Sequence, residues 1–198
     1  MMQRGWRVVR RWVIAGCALL AAGPLWAQPS TWYSERPGPY LLLAGGGSQY
    51  DFDCFGYYYY DCASGRASTG KLAFGYRFGR FGVEGSWTDF GRARINDGTV
   101  VPRQTIAMQA LGVNAVWSLA FSPATEGLLR AGLADVRHSR SDDIGSQHVF
   151  TASVGLALLL HLGPQVALEV GWDATSGEGR QRGSAVASAL TAGLRWSF

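Results

Sequence analysis

Six charged residues fall on one parity of strand-like segments: Lys71, Arg77, Glu84, Arg130, Glu169 and Arg195. Side chains two apart on a strand share a face, so each of these lies opposite the large apolar residues around it. If that face closes on itself, four cations and two anions share a narrow, poorly solvated space. They must then pair or hold water. Acid–base chemistry has few other candidates, since the histidines are His138, His148 and His161. His138-Ser139-Arg140-Ser141 comes nearest to a His/Ser pair. A base and a nucleophile on one strand face need an i, i+2 spacing, and that position is Arg140. His148 lying across the connection from His138, with Asp142 or Asp143 to orient it, is a second arrangement that spacing alone does not fix. His161 has no acid close in sequence. No phosphate loop, metal-ligand spacing or nucleotide fingerprint stands out. No catalytic residue, cofactor or metal is therefore expected.

The first 27 residues read as an export signal. Arg4, Arg7, Arg10 and Arg11 form a basic start, Trp12 to Trp26 is uncharged and mostly apolar, and Leu25-Trp26-Ala27 offers a small residue at the cut. Gly23-Pro24 and the short core argue against an uncleaved anchor. Ile14-Ala15-Gly16-Cys17 resembles a lipobox, but the five apolar residues before Cys17 are fewer than the usual ~7–15. The domain is then 28–198. Removing the leader changes the charge. The whole chain has 18 Lys+Arg against 14 Asp+Glu, or +4; four arginines leave with 1–27, so 28–198 is neutral at 14 against 14. Nucleic-acid binding is not expected.

Cys54 and Cys62 remain as an even pair in an exported chain, so a disulfide is expected. The nine-residue ring it closes, Cys54 to Cys62, is stabilised by about 2.5 kcal/mol in the chain-entropy picture. Tyr57, Tyr58, Tyr59 and Tyr60 sit inside that ring. Tyrosine gives contact area at low entropic cost, which suits adhesion to a ligand. It also suits residence among lipid headgroups.

Those elements need a scaffold, and alternation supplies it. Phe198, Trp196, Leu194, Ala192 and Leu190 share one face, while Ser197, Arg195, Gly193 and Thr191 share the other. Phe150 to Leu162 and Leu111 to Leu119 repeat the pattern. No stretch of 28–198 reaches the ~18 consecutive apolar residues of a spanning helix. Eight strands are predicted at about 39–49, 69–78, 81–91, 104–120, 127–138, 148–162, 165–175 and 184–198. Most exceed the ~9–11 residues that cross a bilayer when tilted. Short connections alternate with longer ones, which predicts an all-β, eight-stranded antiparallel up-and-down transmembrane β-barrel. The sheet must close, because an open edge in hydrocarbon leaves backbone groups unpaired. A soluble lipocalin-like barrel has the same alternation with the faces reversed. The sparse, glycine-rich polar face favours the membrane form, with a thin polar lumen.

The run Phe81-Gly82-Val83-Glu84-Gly85-Ser86-Trp87-Thr88-Asp89-Phe90-Gly91 resembles a hallmark strand of the OmpA-like transmembrane barrel family. Lys71 to Phe78 resembles its partner strand, and Leu129 to Ala134 and Leu194 to Phe198 match in kind. The resemblance implies a bacterial outer membrane of a Gram-negative cell. It also implies that the Phe198 strand is presented to the barrel assembly machinery. Glu84 corresponds to the central anion of a charge cluster that blocks water across the lumen. Such a cluster either switches partners as a gate or stays fixed as a plug. OmpA itself continues into a peptidoglycan-binding domain. This chain stops at the barrel, so wall tethering is not expected. Arg92, Arg94, Arg103, Arg137, Arg140, Arg180 and Arg182 in the outer loops fit the phosphates of lipopolysaccharide and outer-membrane lipid. They are interleaved with Asp97, Asp142, Asp143 and Glu178, and such a mixture equally serves to solvate loops. The expected role is structural or surface-interacting: envelope integrity, with extracellular contacts through exposed loops. A lipid A-modifying or proteolytic barrel enzyme, acting through His138 and Ser141, is one alternative. A narrow gated pore is the other.

Overall fold

The polar–apolar alternation builds a sheet that closes. A computed structural model describes residues 37–52, 65–95, 104–140, 146–179 and 183–198. The leader, the Cys54–Cys62 ring and Tyr57, Tyr58, Tyr59 and Tyr60 lie outside the described residues. The strands are β1 (Gly38–Phe52), β2 (Gly65–Phe78), β3 (Phe81–Ile95), β4 (Gln104–Ser122), β5 (Thr125–Arg140), β6 (Ser146–His161), β7 (Val166–Gly179) and β8 (Gly183–Ser197). Each pairs antiparallel with its neighbour in sequence, and β8 pairs with β1 to complete the ring. The Phe198 amide donates to the Pro39 carbonyl at 3.0 Å and extends that closure by one bond.

Several strands run further than alternation predicts. β4 continues to Ser122 and β5 begins at Thr125, so only Pro123 and Ala124 turn between them. Glu126, expected in that turn, is a strand residue. β7 extends to Gly179, four residues past the expected end. The strands hold 14 to 19 residues, so each outruns the ~9–11 needed for hydrocarbon and projects beyond it.

The outer face decides the solvent. On β6 the outward residues Phe150, Val154, Leu156, Leu158 and Leu160 are all exposed, as is Leu162 just past its end. Leu43, Phe74, Val83, Val113, Leu133, Val170 and Leu190 continue that band around the ring. Meanwhile Lys71, Glu84, Glu126, Arg130, Glu169 and Arg195 are buried. A water-soluble barrel keeps charge outside and grease inside, whereas this one is the reverse. Near the short turns the band ends in aromatics: Tyr76, Phe78, Phe81, Trp117 and Phe121. Phe81 and Trp117 stack there with ring planes 9° apart. Amphipathic rings collect at that depth in a bilayer interface.

One irregularity turns the wall near the long loops. The β3–β4 register shifts between Asp89 and Arg92. Gly91 takes a left-handed φ of 74°, and its amide donates to Asp89 Oδ1 at 2.9 Å. This bulge lets both Phe90 and Ala93 face inward, three residues apart. A Cβ on Gly91 would also meet the Ser68 carbonyl oxygen. Gly91→Ala should therefore lose about 1–2 kcal/mol from the backbone conformation alone. A denaturant midpoint equal to the parent's would show that the bulge can shift without cost.

Candidate functional site

The inward faces of all eight strands meet in a lumen of three storeys. The middle storey is ionic. Glu84 of β3 is fully buried, with four partners. Arg130 Nε stands 3.0 Å from its Oε1 and Lys71 Nζ 3.8 Å. Arg195 Nη2 lies 3.4 Å from Oε2, and the Tyr40 hydroxyl donates to Oε2 at 3.0 Å. Arg130 also pairs with Glu169 Oε1, and Arg195 Nε reaches Glu169 Oε2 at 3.1 Å. Lys71 Nζ sits 2.8 Å from Asp173 Oδ2. The Arg195 guanidinium lies 3.9 Å over the Tyr40 ring, a cation–π contact that covers its open face.

The sequence places these groups level with one another. Tyr40, Gly75 and Glu84 are cross-strand neighbours on β1, β2 and β3. The Tyr40 ring passes over Gly75, where a Cβ would overlap it, and so reaches past β2 to Glu84. Glycine is thus required at the middle strand for a bond between the outer two.

Five of the six predicted charges meet in this storey, but the balance differs from the expected four cations to two anions. Lys71, Arg130 and Arg195 face Glu84, Glu169 and Asp173, so the cluster is neutral. Arg77 is elsewhere. It joins Glu126 and His161 in a lower storey near the short turns. Arg77 Nη2 is 2.9 Å from Glu126 Oε1, and His161 Nε2 is 3.2 Å from Glu126 Oε2. Asp173 was detectable, since it shares the parity of Glu169. Glu126 was not, because it follows Pro123 so closely that its segment has the composition of a turn although it is a strand residue. Glu126→Ala should cost about 1.5–3 kcal/mol, the worth of a hydrogen bond to a charged group. The loss is smaller than at a deeper site because the Arg77 side chain, 13% exposed, reaches water. Urea midpoints of Glu126→Ala and of Glu84→Ala, at the deeper site, in the same detergent check the ranking.

The upper storey, toward the long loops, is apolar: Tyr50, Phe90, Ile106, Met108, Val136 and Ala187 pack together there. This corrects the expectation of a thin polar lumen throughout. Between it and the ionic storey lies a cavity of about 30 Å³, lined by Lys71, Ser86, Asn114, Ser153, Asp173 and Thr175 among others. It is large enough for a water molecule, with polar groups to hold one.

No protein-family model matches the sequence, and no curated protein matches it. Solved structures do. Neisserial surface protein A aligns over 81% of this chain and 99% of that one, at 19% identity and a TM-score of 0.57. Outer membrane protein OprG from Pseudomonas aeruginosa aligns over 84% and 99%, at 12% identity and 0.52. Outer membrane protein AlkL, solved in DMPC lipid bilayers, aligns over 89% and 96%, at 10% identity and 0.53. The chain is an eight-stranded barrel of the outer-membrane type. The likeness is one of fold, and it agrees with the OmpA-like resemblance carried by the Glu84 strand.

The barrel wall separates the histidines. His138 shares the inward parity of Ala134 and Val136, whereas His148 shares the outward parity of Phe150. The two stand on opposite faces, so they cannot form one site. His148 Nδ1 meets Asp135 Oδ2 at 3.1 Å, an acid other than Asp142 or Asp143. Those two aspartates and Ser141 lie outside the described residues. His161 does have an acid, Glu126, supplied by the neighbouring strand.

Proposed function

We propose that the protein is a non-conducting barrel of the bacterial outer membrane that stabilises the envelope and displays loops for surface contact. The observation that carries this is the ionic storey, which crosses the lumen from β2 and β3 to β7 and β8 with every charge matched. Such a plug leaves the faces and loops, not an axial channel, as the working parts. The leader 1–27 is removed, 28–198 forms the barrel, and the strand ending at Phe198 engages the assembly machinery. Short turns and termini face the periplasm. Outward Arg66, Arg92 and Arg137 at the loop end are exposed, which suits the phosphates of lipopolysaccharide. The Cys54–Cys62 disulfide staples the first loop, and Tyr57, Tyr58, Tyr59 and Tyr60 contact an extracellular ligand.

Planar-bilayer recording on the purified protein is the test of the plug. No steady ionic conductance is expected, and a stable open current at low voltage would overturn the reading in favour of a pore. For the loop, cells expressing Tyr57→Ser/Tyr58→Ser/Tyr59→Ser/Tyr60→Ser should keep the envelope's detergent resistance but lose adhesion to matrix-coated surfaces. Equal adhesion would remove the tyrosines from that role.

A further inference from the structure

At the short-turn end, β3 leaves one inward position without a side chain. Gly82 shares the inward parity of Glu84, and its partners across the sheet are Arg77 on β2 and Val116 on β4. The neighbouring backbone keeps the position bare, since a Cβ there would meet the Tyr76 carbonyl oxygen at 2.8 Å. A cavity of about 10 Å³ occupies the gap, lined by Tyr40, Arg77, Arg80, Phe81, Ser118 and Arg195 among others.

The protein does not use up the positive charge of this lining. Arg77 is paired with Glu126. Arg195 is 2% exposed and reaches Glu84 and Glu169 through Nη2 and Nε. Its Nη1 is buried without a hydrogen-bond partner among the described residues. A buried donor on a cation is costly to leave unsatisfied, so an acceptor belongs beside it. Arg80, in the turn Gly79-Arg80, is exposed, and the Ser118 amide donates to its carbonyl at 2.8 Å. Among the described side chains at this end, Arg77 and Arg80 stand against Glu126 as the only acid, so the formal charge is positive.

Size and access narrow the occupant. The cavity has room for about one water-sized atom, so it admits a single oxygen of a larger group and not a whole molecule. Its lining includes Phe81, which is 65% exposed on the lipid face and stacks on Trp117 in the aromatic band. The cleft therefore connects the buried Arg195 to the bilayer interface, where headgroup phosphates lie. Guanidinium groups recognise phosphate oxygens through paired N–H donors.

We propose that this arginine-lined cleft binds the phosphate of an anionic phospholipid in the leaflet at the short-turn end. One phosphate oxygen enters beside Arg195, Arg80 holds the others at the mouth, and the acyl chains lie along Phe81 and Trp117. The choice of leaflet alone rests on the orientation proposed above, which makes it the periplasmic one. The bound lipid ties the base of the plug to the membrane.

The test uses the full chain in maltoside micelles, whose headgroups carry no phosphate. Native mass spectrometry counts retained lipid, with dioleoyl phosphatidylglycerol as the probe and dioleoylglycerol as its phosphate-free counterpart. The parent should retain one phosphatidylglycerol per chain and no diacylglycerol. Arg80→Gln removes the exposed charge, whereas Val116→Ile puts a methylene into the cavity and leaves the charge unchanged. Each should retain about tenfold less lipid at equal concentration, the worth of one hydrogen bond to a charged group. Heat-dependent gel migration of both should match the parent's. Phosphatidylglycerol held as well by Val116→Ile as by the parent would mean surface attraction to Arg80 alone, and would overturn the site. Equal retention of diacylglycerol would overturn it too. Inorganic phosphate is the third ligand: broadening of its phosphorus NMR line by a parent protein that retains no lipid would assign the cavity to a free anion and overturn the lipid assignment. Steady conductance in a planar bilayer, which would sink the plug, is read separately and leaves the lipid count unaffected.

Discussion

Glu84→Ala should destabilise the barrel by about 3–5 kcal/mol, the cost of removing one partner from a buried ionic group. Glu84 stands between Lys71, Arg130 and Arg195, whose side chains are all at most 2% exposed. Without it, Lys71 keeps Asp173, and both arginines must share Glu169. Three buried cations then face two anions. The Tyr40 hydroxyl also loses its acceptor. Glu84→Gln should lie between parent and alanine, because the amide oxygen still accepts from Tyr40 while the charge is gone. Adding Lys71→Met to Glu84→Ala should recover part of the loss, since it restores two against two. That recovery is non-additivity of the kind expected for groups in one network. The measurement is the urea midpoint of refolded protein in detergent micelles, read by heat-dependent gel migration. An unchanged midpoint for Glu84→Ala would remove Glu84 from the centre of the plug.

The periodicity of two made most of this fold legible. Strand count, order and the outward faces all follow from alternation, because one face of every strand meets the same solvent. Strand ends were less legible. Beyond the hydrocarbon, residues such as Ser176 or Ser139 carry no strong preference for either face, so the pattern fades while the ladder continues. Glu126 was lost for that reason, and its partner His161 with it. The ionic storey was half legible. Parity placed Lys71, Glu84, Arg130, Glu169 and Arg195 inside, but the pairing of each depends on the stagger between strands, which a single strand does not encode. Arg77 shows this. It shares the parity of Lys71 on β2, yet three positions of separation along the tilted wall, at alternate inward sites, put it with a different acid. The apolar upper storey ran against the reading altogether. Phe90 and Ala93 both face inward only because Gly91 breaks the alternation between them.

Leu156→Arg should cost about 2–4 kcal/mol, the penalty for an arginine on the lipid face at the bilayer midplane. Leu156 is the middle residue of the outward run on β6 between Phe150 and Leu162, and its side chain is 51% exposed. A charge there has apolar neighbours on both sides, Leu129 on β5 and Trp172 on β7. Snorkelling to either interface needs three outward positions, farther than an arginine reaches without thinning the bilayer. Phe150→Arg, at the loop-end rim of the same run, should cost only about 0–1 kcal/mol. The difference between the two is the informative quantity, because both replace an exposed apolar residue on one strand by the same side chain. In water the two sites would behave alike, and each substitution would raise solubility. Unfolding in phospholipid vesicles distinguishes the cases. A midpoint for Leu156→Arg equal to that for Phe150→Arg would mean that the greasy face of β6 does not meet hydrocarbon, and the inside-out assignment of the wall would fall with it.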